Sequence, residues 1–145
     1  MTYLIRVAEE KDIPAVYNFV CLLEETGFNY NDFEIICCRN ITNRDYYYLV
    51  AQSAAGAVIG FISCHTQSLL HHCGKVAEIQ ELFVDDKYRK LGIGIALLKA
   101  LEEKLLANNC FLFEVTAQNK REQTHRFYKD NGFIQSHQKF TKQLS

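Results

Sequence analysis

Hydrophobic and polar positions repeat with two different periods in the first part of the chain. Tyr3–Val7 alternates as a β-strand does. After Asp12, which can cap a helix, apolar residues recur at helical spacing as far as Leu23. Residues 29–31 are turn-like, and a weaker pattern over 32–38 predicts a second helix. The chain therefore opens with one strand followed by two helices.

The middle of the chain is typical of strands. Residues 46–51 and 57–64 are rich in β-branched and aromatic side chains and flank a turn ending at Gly56, which predicts a hairpin. A loop is predicted over 67–74 and a long strand over 76–84.

The last third alternates between helices and strands. Ile93 begins a four-residue repeat of apolar positions that continues to Leu105 and predicts an amphipathic helix. Residues 111–116 read as a buried strand. Asn119 and Glu122 resemble a capping box that opens a final helix, and residues 133–141 alternate as a closing strand. This order predicts one α/β (α+β) domain, residues 1–145, with a mixed sheet and helices on both faces.

Composition narrows the class of protein. The net charge of −1, without a basic run, argues against a nucleic-acid partner. No apolar run approaches the length of about 20 residues that a membrane span needs, and no secretory signal opens the chain. The six cysteines form no C-x-x-C pair, so we expect reduced thiols in a cytoplasmic protein.

Residues 89–94, Arg-Lys-Leu-Gly-Ile-Gly, lie between a predicted strand and a predicted helix. Free backbone N–H groups and the helix dipole favour an anion at such a position. Glycine lets the backbone approach a ligand closely, and Arg89 and Lys90 add positive charge. This turn therefore predicts a diphosphate site.

Other interpretations of the glycine turn are weaker. The chain has no G-x-x-x-x-G-K-[ST] string, so it lacks a Walker loop. A dinucleotide fingerprint would need glycine where Leu97 stands, although Glu114 lies about twenty residues on, where a ribose-binding acid would be. A turn that merely connects strand to helix would explain neither the basic pair nor the second glycine.

The turn matches the [QR]-x-x-G-x-[GA] loop of the GNAT superfamily of N-acetyltransferases at Arg89, Gly92 and Gly94. The resemblance extends over nearly the whole chain, through Arg6-x-Ala8-x-x-x-Asp12, the Leu-Phe-Val strand end at 82–84, Phe127-Tyr128 and Gly132-Phe133. It implies a mixed, mostly antiparallel central sheet and acetyl-CoA as cosubstrate. Dimers are common in that superfamily, and the predicted last strand could mediate a homodimer.

The resemblance also implies which residues hold the cosubstrate. Loop amides would bind the pyrophosphate, the backbone at the end of the preceding strand would hold the pantetheine arm and acetyl group, and an asparagine would contact the pantetheine. The corresponding residues here are Leu82, Phe83, Val84, Arg89, Lys90, Leu91, Gly92, Ile93, Gly94 and Asn119.

A narrower resemblance concerns the acceptor. Residues 71–82 and 119–144 are similar to the aminoalkylphosphonate N-acetyltransferases, which acetylate the amine of small aminophosphonates. This implies a primary amine on a small phosphonate as the acceptor.

Amine acetylation by direct attack requires a base for the ammonium and an acid for the departing thiolate. Glu78 lies eleven residues before Arg89, which matches a glutamate base of that superfamily, and Glu81 is the second candidate. Strand alternation predicts that these two glutamates point to opposite faces unless a bulge intervenes. Tyr128 matches the tyrosine that the superfamily places beside the CoA sulfur, so it is the candidate acid.

The remaining candidates concern the acceptor and a metal. Tyr30 and Asn31 lie where the superfamily gathers acceptor contacts, and His72 is a further candidate. No standard zinc spacing occurs, but a weakly held divalent ion near Glu78, His71 and His72 could bridge a phosphonate. Cys64-His65 and His72-Cys73 are adjacent in sequence, which is a weak basis for a cysteine nucleophile.

Two alternative functions follow from the same residues. A protein or peptide N-acetyltransferase would have an open groove across the strand ends. A non-catalytic CoA-binding module would keep the glycine loop but lack the base and the acid, whereas Glu78 and Tyr128 are both present.

Overall fold

The computed structural model describes residues 2–145. These residues form five strands and four α-helices, with short 3₁₀ turns between some of them. In chain order the elements are β1 (Tyr3–Val7), α1 (Ile13–Glu24), α2 (Tyr30–Ile41), β2 (Tyr46–Ser53), β3 (Val58–Leu69), β4 (Gly74–Val84), α3 (Ile93–Ala107), β5 (Leu112–Val115) and α4 (Glu122–Asp130).

The five strands form one sheet in sequence order, β1-β2-β3-β4-β5. The first four pair antiparallel with their neighbours, and β5 pairs parallel with β4. This confirms the predicted mixed, mostly antiparallel α/β sheet. The parallel pair requires a crossover, which α3 supplies.

Helices cover both faces of the sheet, as predicted. On one face α3 and α4 pack over a core that includes Leu97, Leu101 and Tyr128. On the other face α1 and α2 pack over a core that includes Phe19 and Phe61. Among residues 2–145 no helix is long and apolar enough to cross a membrane.

A buried ion pair fixes the start of α1. The Arg6 guanidinium donates two hydrogen bonds to the Asp12 carboxylate, at 2.7 and 2.8 Å, and the Glu9 amide donates a third at 2.7 Å. Burial alone would raise the pKa of Asp12, but these bonds outweigh burial and the pKa lies below its usual value. The pair therefore ties β1 to α1.

Some predicted element bounds are wrong. Helix α2 begins at Tyr30, because the Asn29 side chain caps it by accepting from the Asp32 amide at 3.0 Å. Strand β3 continues to Leu69, so most of the predicted 67–74 loop belongs to β3, a 3₁₀ turn and β4. Both errors have the same origin. Residues typical of a turn occur at these positions, but their hydrogen bonds extend the helix or the strand through them.

Two predictions near the C-terminus are also wrong. The capping box of Asn119 and Glu122 does not form, since the residue that precedes α4 is Arg121 and Asn119 lies in an exposed turn. Residues 133–141 do not form a strand in this chain. Alternation is not sufficient for a strand, because a strand also needs a partner for its backbone hydrogen bonds.

Candidate active site

Strands β4 and β5 separate part-way along the sheet. Their pairing covers only Val76–Ile79 of β4, whereas β4 itself continues to Val84. On its other side β4 stays paired with β3 over the whole of this stretch. The last five residues of β4 therefore have one backbone edge that faces away from β3 and is not paired with β5.

A cavity of about 110 Å³ occupies this separation. Its walls come from β4, from the segment that follows β5 and from the facing ends of α1 and α4. The lining residues are Leu23, Glu24, Ile79, Gln80, Glu81, Leu82, Val115, Thr116, Ala117, Gln118, Arg121, Thr124 and Tyr128. We call this space the splay cavity. An extended ligand with alternating polar and apolar groups could hydrogen-bond to the free backbone edge of β4 and pack against the apolar side chains of this cavity.

The glycine turn leads from the end of β4 into α3. Gly92 precedes the first helical residue, Ile93, and has φ +81°. A Cβ at Gly92 would meet no atom within 4 Å. Glycine is therefore needed here for the left-handed backbone conformation and not because of close packing. The first amides of α3 have no acceptor within the helix, and Gly92 has no side chain to cap them. They are free to bind an anion.

The two basic residues of the turn, Arg89 and Lys90, differ in their contacts. Arg89 donates from Nε to the Val84 carbonyl at 3.0 Å and forms an ion pair with Asp86 at 2.8 Å. It also lies over the Phe83 ring at 5.2 Å. Arg89 thus fastens the turn to the end of β4, while Lys90 and Leu91 are exposed.

A β-bulge in β4 changes where the two candidate glutamates point. Glu78 lies opposite His65 and Glu81 opposite Ser63, and the register shifts between these pairs at Gln80. His65 and Ser63 are two residues apart on β3, so their side chains share one face. Glu78 and Glu81 consequently share the α1/α2 face of the sheet. A bulge was the exception allowed for in the expectation of opposite faces, and here the extra residue resets the alternation.

Glu81 lies between β3 and the cavities. The Ser63 hydroxyl donates a hydrogen bond to its carboxylate, and its own amide donates to the Ser63 oxygen at 3.0 Å. Burial raises the pKa of Glu81, and the bond from Ser63 opposes this rise. A carboxylate with a raised pKa is a better proton acceptor than an exposed one.

Glu78 has a more exposed and more polar environment. Its carboxylate accepts from the Thr116 hydroxyl at 3.2 Å and from the Gln80 amide at 3.5 Å. The bond from Thr116 links β4 to the segment that follows β5. Glu78 does not line the splay cavity, although it points to the same face as Glu81.

A second cavity, of about 160 Å³, lies between this face of the sheet and helices α1 and α2. Gln80 and Glu81 line both cavities. The other lining residues of this second cavity are Val16, Val20, Phe33, Ile36, Cys37, Asn40, Tyr48, Phe61 and His65. It is mostly apolar, with a polar end, as small-molecule sites commonly are.

The polar end of the second cavity is a hydrogen-bonded chain. Asn40 donates to the Tyr48 hydroxyl at 2.9 Å, and that hydroxyl is 3.1 Å from His65 Nε2. His65 also stacks on Tyr46, with ring centroids 3.6 Å apart. Burial lowers the pKa of His65, and Glu78 opposes this. Asn40, Tyr48 and His65 were not predicted as acceptor contacts from the sequence, although a histidine within a largely apolar strand was a usable signal.

Tyr128 is buried on α4 and lines the splay cavity from the α3/α4 side. Its ring packs edge-on against Phe127 and Phe133. Burial raises the pKa of Tyr128 to about 12. The phenol therefore keeps its proton at neutral pH, as a general acid must.

The other predicted site residues lie elsewhere. Tyr30 packs against Tyr17 at the start of α2, and neither Tyr30 nor Asn31 lines a cavity described above. His71 and His72 lie in the turn between β3 and β4. The strand from Gly74 to Glu78 alone spans about 13 Å, which places Glu78 too far along β4 for one divalent ion to bridge it to these histidines. Within residues 2–145 no three His, Cys, Asp or Glu side chains are placed to hold a metal ion.

The cysteines do not offer a nucleophile at this site. Cys64 and His65 are neighbours on β3, so their side chains point to opposite faces, with Cys64 in the α3/α4 core. Burial raises the pKa of Cys64 to about 12. All six cysteines are free.

This geometry agrees with what the chain is similar to. A profile described as the Acetyltransferase (GNAT) family matches residues 2–133. The chain belongs to the GNAT acetyltransferase family. It is therefore an acetyl-CoA-dependent N-acetyltransferase, which confirms the family resemblance.

Individual relatives refine the comparison. An aminoalkylphosphonate N-acetyltransferase of Salmonella typhimurium is 36% identical over 140 residues, which cover 97% of this chain and 90% of that protein. A transcriptional regulator from Bacillus halodurans has the same fold, with a TM-score of 0.89 and 19% identity over 99% of this chain and all of that one. An aminoglycoside 6'-N-acetyltransferase from Acinetobacter baumannii gives a TM-score of 0.84 and 19% identity over the same shares. These two structures show the fold alone.

Proposed function

We propose that this GNAT enzyme acetylates the primary amine of a small aminoalkylphosphonate. The observation that carries this proposal is the Salmonella relative, which is similar over nearly the whole chain. The structure supports a small acceptor, since the second cavity has a volume of about 160 Å³ and adjoins the splay cavity at Gln80 and Glu81.

The splay cavity and the glycine turn are the proposed site of acetyl-CoA. The unpaired edge of β4 offers amide and carbonyl groups to the pantetheine arm, and the free amides at the start of α3 suit the pyrophosphate. Leu82, Phe83 and Val84 lie on that edge, and an amide of Phe83 or Val84 would stabilise the oxyanion. The exposed ammonium of Lys90 is available to a phosphate.

Glu81 is the proposed general base, with Glu78 second. The geometry reverses the order expected from sequence, because Glu81 lines both cavities and Glu78 does not line the splay cavity. Glu81 would take one proton from the acceptor ammonium. The neutral amine then attacks the thioester carbonyl and a C–N bond forms. As the C–S bond breaks, the attacking nitrogen loses its second proton to water, which leaves the neutral amide.

Tyr128 is the proposed general acid. It lines the splay cavity, and its hydroxyl would donate a proton to the departing CoA thiolate. A phenol whose pKa is raised to about 12 remains protonated until that thiolate forms.

The polar end of the second cavity is the proposed acceptor contact. The hydroxyl of Tyr48, the imidazole of His65 and the amide of Asn40 are the groups available to phosphonate oxygens there. The lining residues include no Lys or Arg, and burial lowers the pKa of His65, so these groups would hold the phosphonate oxygens as neutral hydrogen-bond donors.

The substrate test compares several amines, two of which differ only in whether they carry a phosphonate. Released CoA thiol is measured with 2-aminoethylphosphonate, ethanolamine, a polyamine, an aminoglycoside and a lysine peptide. We expect the highest kcat/KM with the phosphonate, and a large loss with ethanolamine, which lacks the anion. Turnover of the peptide alone would favour protein acetylation instead.

The role of the base is tested with a matched pair of variants, Glu81→Gln and Glu78→Gln. We expect Glu81→Gln to lower kcat by about 100-fold or more, since general base catalysis contributes about 10²–10⁴. Glu78→Gln should have the smaller effect. Equal loss in both variants, or the reverse order, would contradict Glu81 as the base.

The role of the acid is tested with Tyr128→Phe, which keeps the packed ring and removes the hydroxyl. We expect kcat to fall by about 100-fold with little change in KM for acetyl-CoA. The control is Tyr3→Phe, which removes a hydroxyl on the distant edge strand. Phe133→Tyr is unsuitable as a control because it adds a polar group to the core.

A further inference from the structure

The second cavity changes from apolar to polar along its length. Helix α2 forms one wall, on which Phe33, Ile36 and Asn40 follow one another at intervals of about one turn. From Phe33 to Asn40 the helix rises by about 10 Å, so this wall is apolar at one end and polar at the other. The bond from Asn40 to the Tyr48 hydroxyl lies at the polar end.

Strand β3 forms the opposite wall and changes in the same direction. Phe61 and His65 both line the cavity and share one face of the strand, four residues or about 13 Å apart. His65 belongs to the polar end, because its Nε2 is 3.1 Å from the Tyr48 hydroxyl. Phe61 belongs to the apolar end, where Val16 and Val20 of α1 line the cavity and share its buried cluster.

The proposed base stands between the two ends. Glu81 lies opposite Ser63, which is midway between Phe61 and His65 on β3. Hydrogen bonds from the Ser63 hydroxyl to the Glu81 carboxylate and from the Glu81 amide to Ser63 hold it there. An amine bound at Glu81 would therefore have the polar end about 7 Å away along the strand in one direction and the apolar end about as far in the other.

We propose that the preferred acceptor is an aminoalkylphosphonate with an apolar substituent on the carbon that bears the amine. This rests on the proposed function, in which the ammonium meets Glu81 and the phosphonate meets the polar end. A substituent on the amine-bearing carbon then extends the other way, to the apolar end. It would cover Ile36, which lines the cavity and is 57% exposed.

The volume of the cavity sets the size of the substituent. The whole cavity measures about 160 Å³. An apolar cavity of about 150 Å³ holds a ligand the size of benzene, so about two to four carbons remain beside the phosphonate. Each buried methylene changes kcat/KM by about fourfold, which corresponds to about 0.8 kcal/mol.

The first test compares isomers. Released CoA thiol gives kcat/KM for aminomethylphosphonate, for 1-aminopropylphosphonate and for its isomer 3-aminopropylphosphonate. We expect the 1-amino isomer to exceed aminomethylphosphonate by about 16-fold, fourfold for each added methylene, and to exceed the 3-amino isomer. Equal values for the isomers, or a lower value for 1-aminopropylphosphonate than for aminomethylphosphonate, would overturn the proposal. Absence of turnover with every phosphonate would instead overturn the proposed function on which it rests.

A matched pair of variants locates the substituent. Ile35 and Ile36 are neighbours on α2 and are both 57% exposed, but of the two only Ile36 lines the cavity. Asparagine adds polarity without charge at either position. Ile36→Asn should lower the ratio of kcat/KM for 1-aminopropylphosphonate to that for aminomethylphosphonate by about fourfold, and Ile35→Asn should keep the native ratio. Because the ratio compares two substrates of one protein, loss of folded enzyme cancels. The same ratio in both variants would overturn the assignment of the substituent to the apolar end.

Discussion

Ser63 and Glu81 face each other across β3 and β4, and their hydrogen bond sets the protonation of the proposed base. Burial raises the pKa of Glu81, and the bond from the Ser63 hydroxyl lowers it because the bond favours the charged carboxylate. The pKa of Glu81 is thus a balance: burial and the negative charge of Glu24 raise it, and the bond from Ser63, which a single substitution removes, lowers it.

Ser63→Ala should therefore raise the pKa of Glu81 further. Because a base acts only when it is deprotonated, the acid limb of the kcat/KM profile should move to higher pH, while kcat at high pH changes less. Profiles for the native enzyme and for Ser63→Ala are compared, with Ser68→Ala on the exposed part of β3 as the control. An acid limb that stays in place would show that Glu81 is not the titrating group.

The start of α1 depends on one carboxylate. Asp12 is buried, and it accepts from Arg6 and from the Glu9 amide, so Asp12→Asn leaves the guanidinium without its charged partner. We expect the free energy of unfolding at pH 7 to fall by about 3 kcal/mol. Because the pKa of Asp12 is lowered in the folded state, its contribution is present above the usual aspartate pKa and is lost as the pH falls below it.

Urea unfolding at several pH values measures this effect. The difference between the native chain and Asp12→Asn should be largest near neutral pH and should shrink in acid. Glu10→Gln, an exposed change in the same turn, is the control and should leave stability nearly unchanged. A difference independent of pH would mean that packing, and not the ion pair, is responsible.

The glycine turn gives a second prediction for an element. Ala at position 92 would have room for its Cβ but would have to adopt φ +81°. The left-handed region disfavours Ala by about 1 kcal/mol, which corresponds to about fivefold in binding. We expect Gly92→Ala to raise KM for acetyl-CoA by about that factor and to leave KM for the amine unchanged. Gly56→Ala, at φ +95° in the distant β2–β3 turn, controls for stability loss without a binding change.

At the scale of the whole molecule, the sequence predicts helices and turns, which depend on residues near one another in the chain. Periodicity located α3, and the Arg89–Gly94 motif located the glycine turn that precedes it. The shared face of Glu78 and Glu81 could not be read from sequence, because it depends on which residue of β4 bulges against β3. The grouping of Asn40, Tyr48 and His65 likewise depends on how α2 packs on the sheet. The predicted last strand is wrong for this single chain, since its alternation says nothing about where a partner lies.

The reactivity of the six free cysteines with a thiol reagent measures whether the whole fold is intact. Cys73 is exposed, whereas Cys37, Cys64 and Cys110 are buried, and burial raises the pKa of Cys37 and of Cys64 to about 12. Thiolate is the reactive form, so an aromatic disulfide reagent should react fast with Cys73 in the native protein, and the buried thiols should react only when the chain opens. In denaturant all six should react. Cys73→Ser should remove the fast phase and keep activity, which also makes it the appropriate background for assays of released CoA. Cys21 and Cys38 are partly buried, so Cys73→Ser is combined with Cys21→Ser and Cys38→Ser, and a fast phase that persists in this triple variant would show that a core thiol is reached without global unfolding.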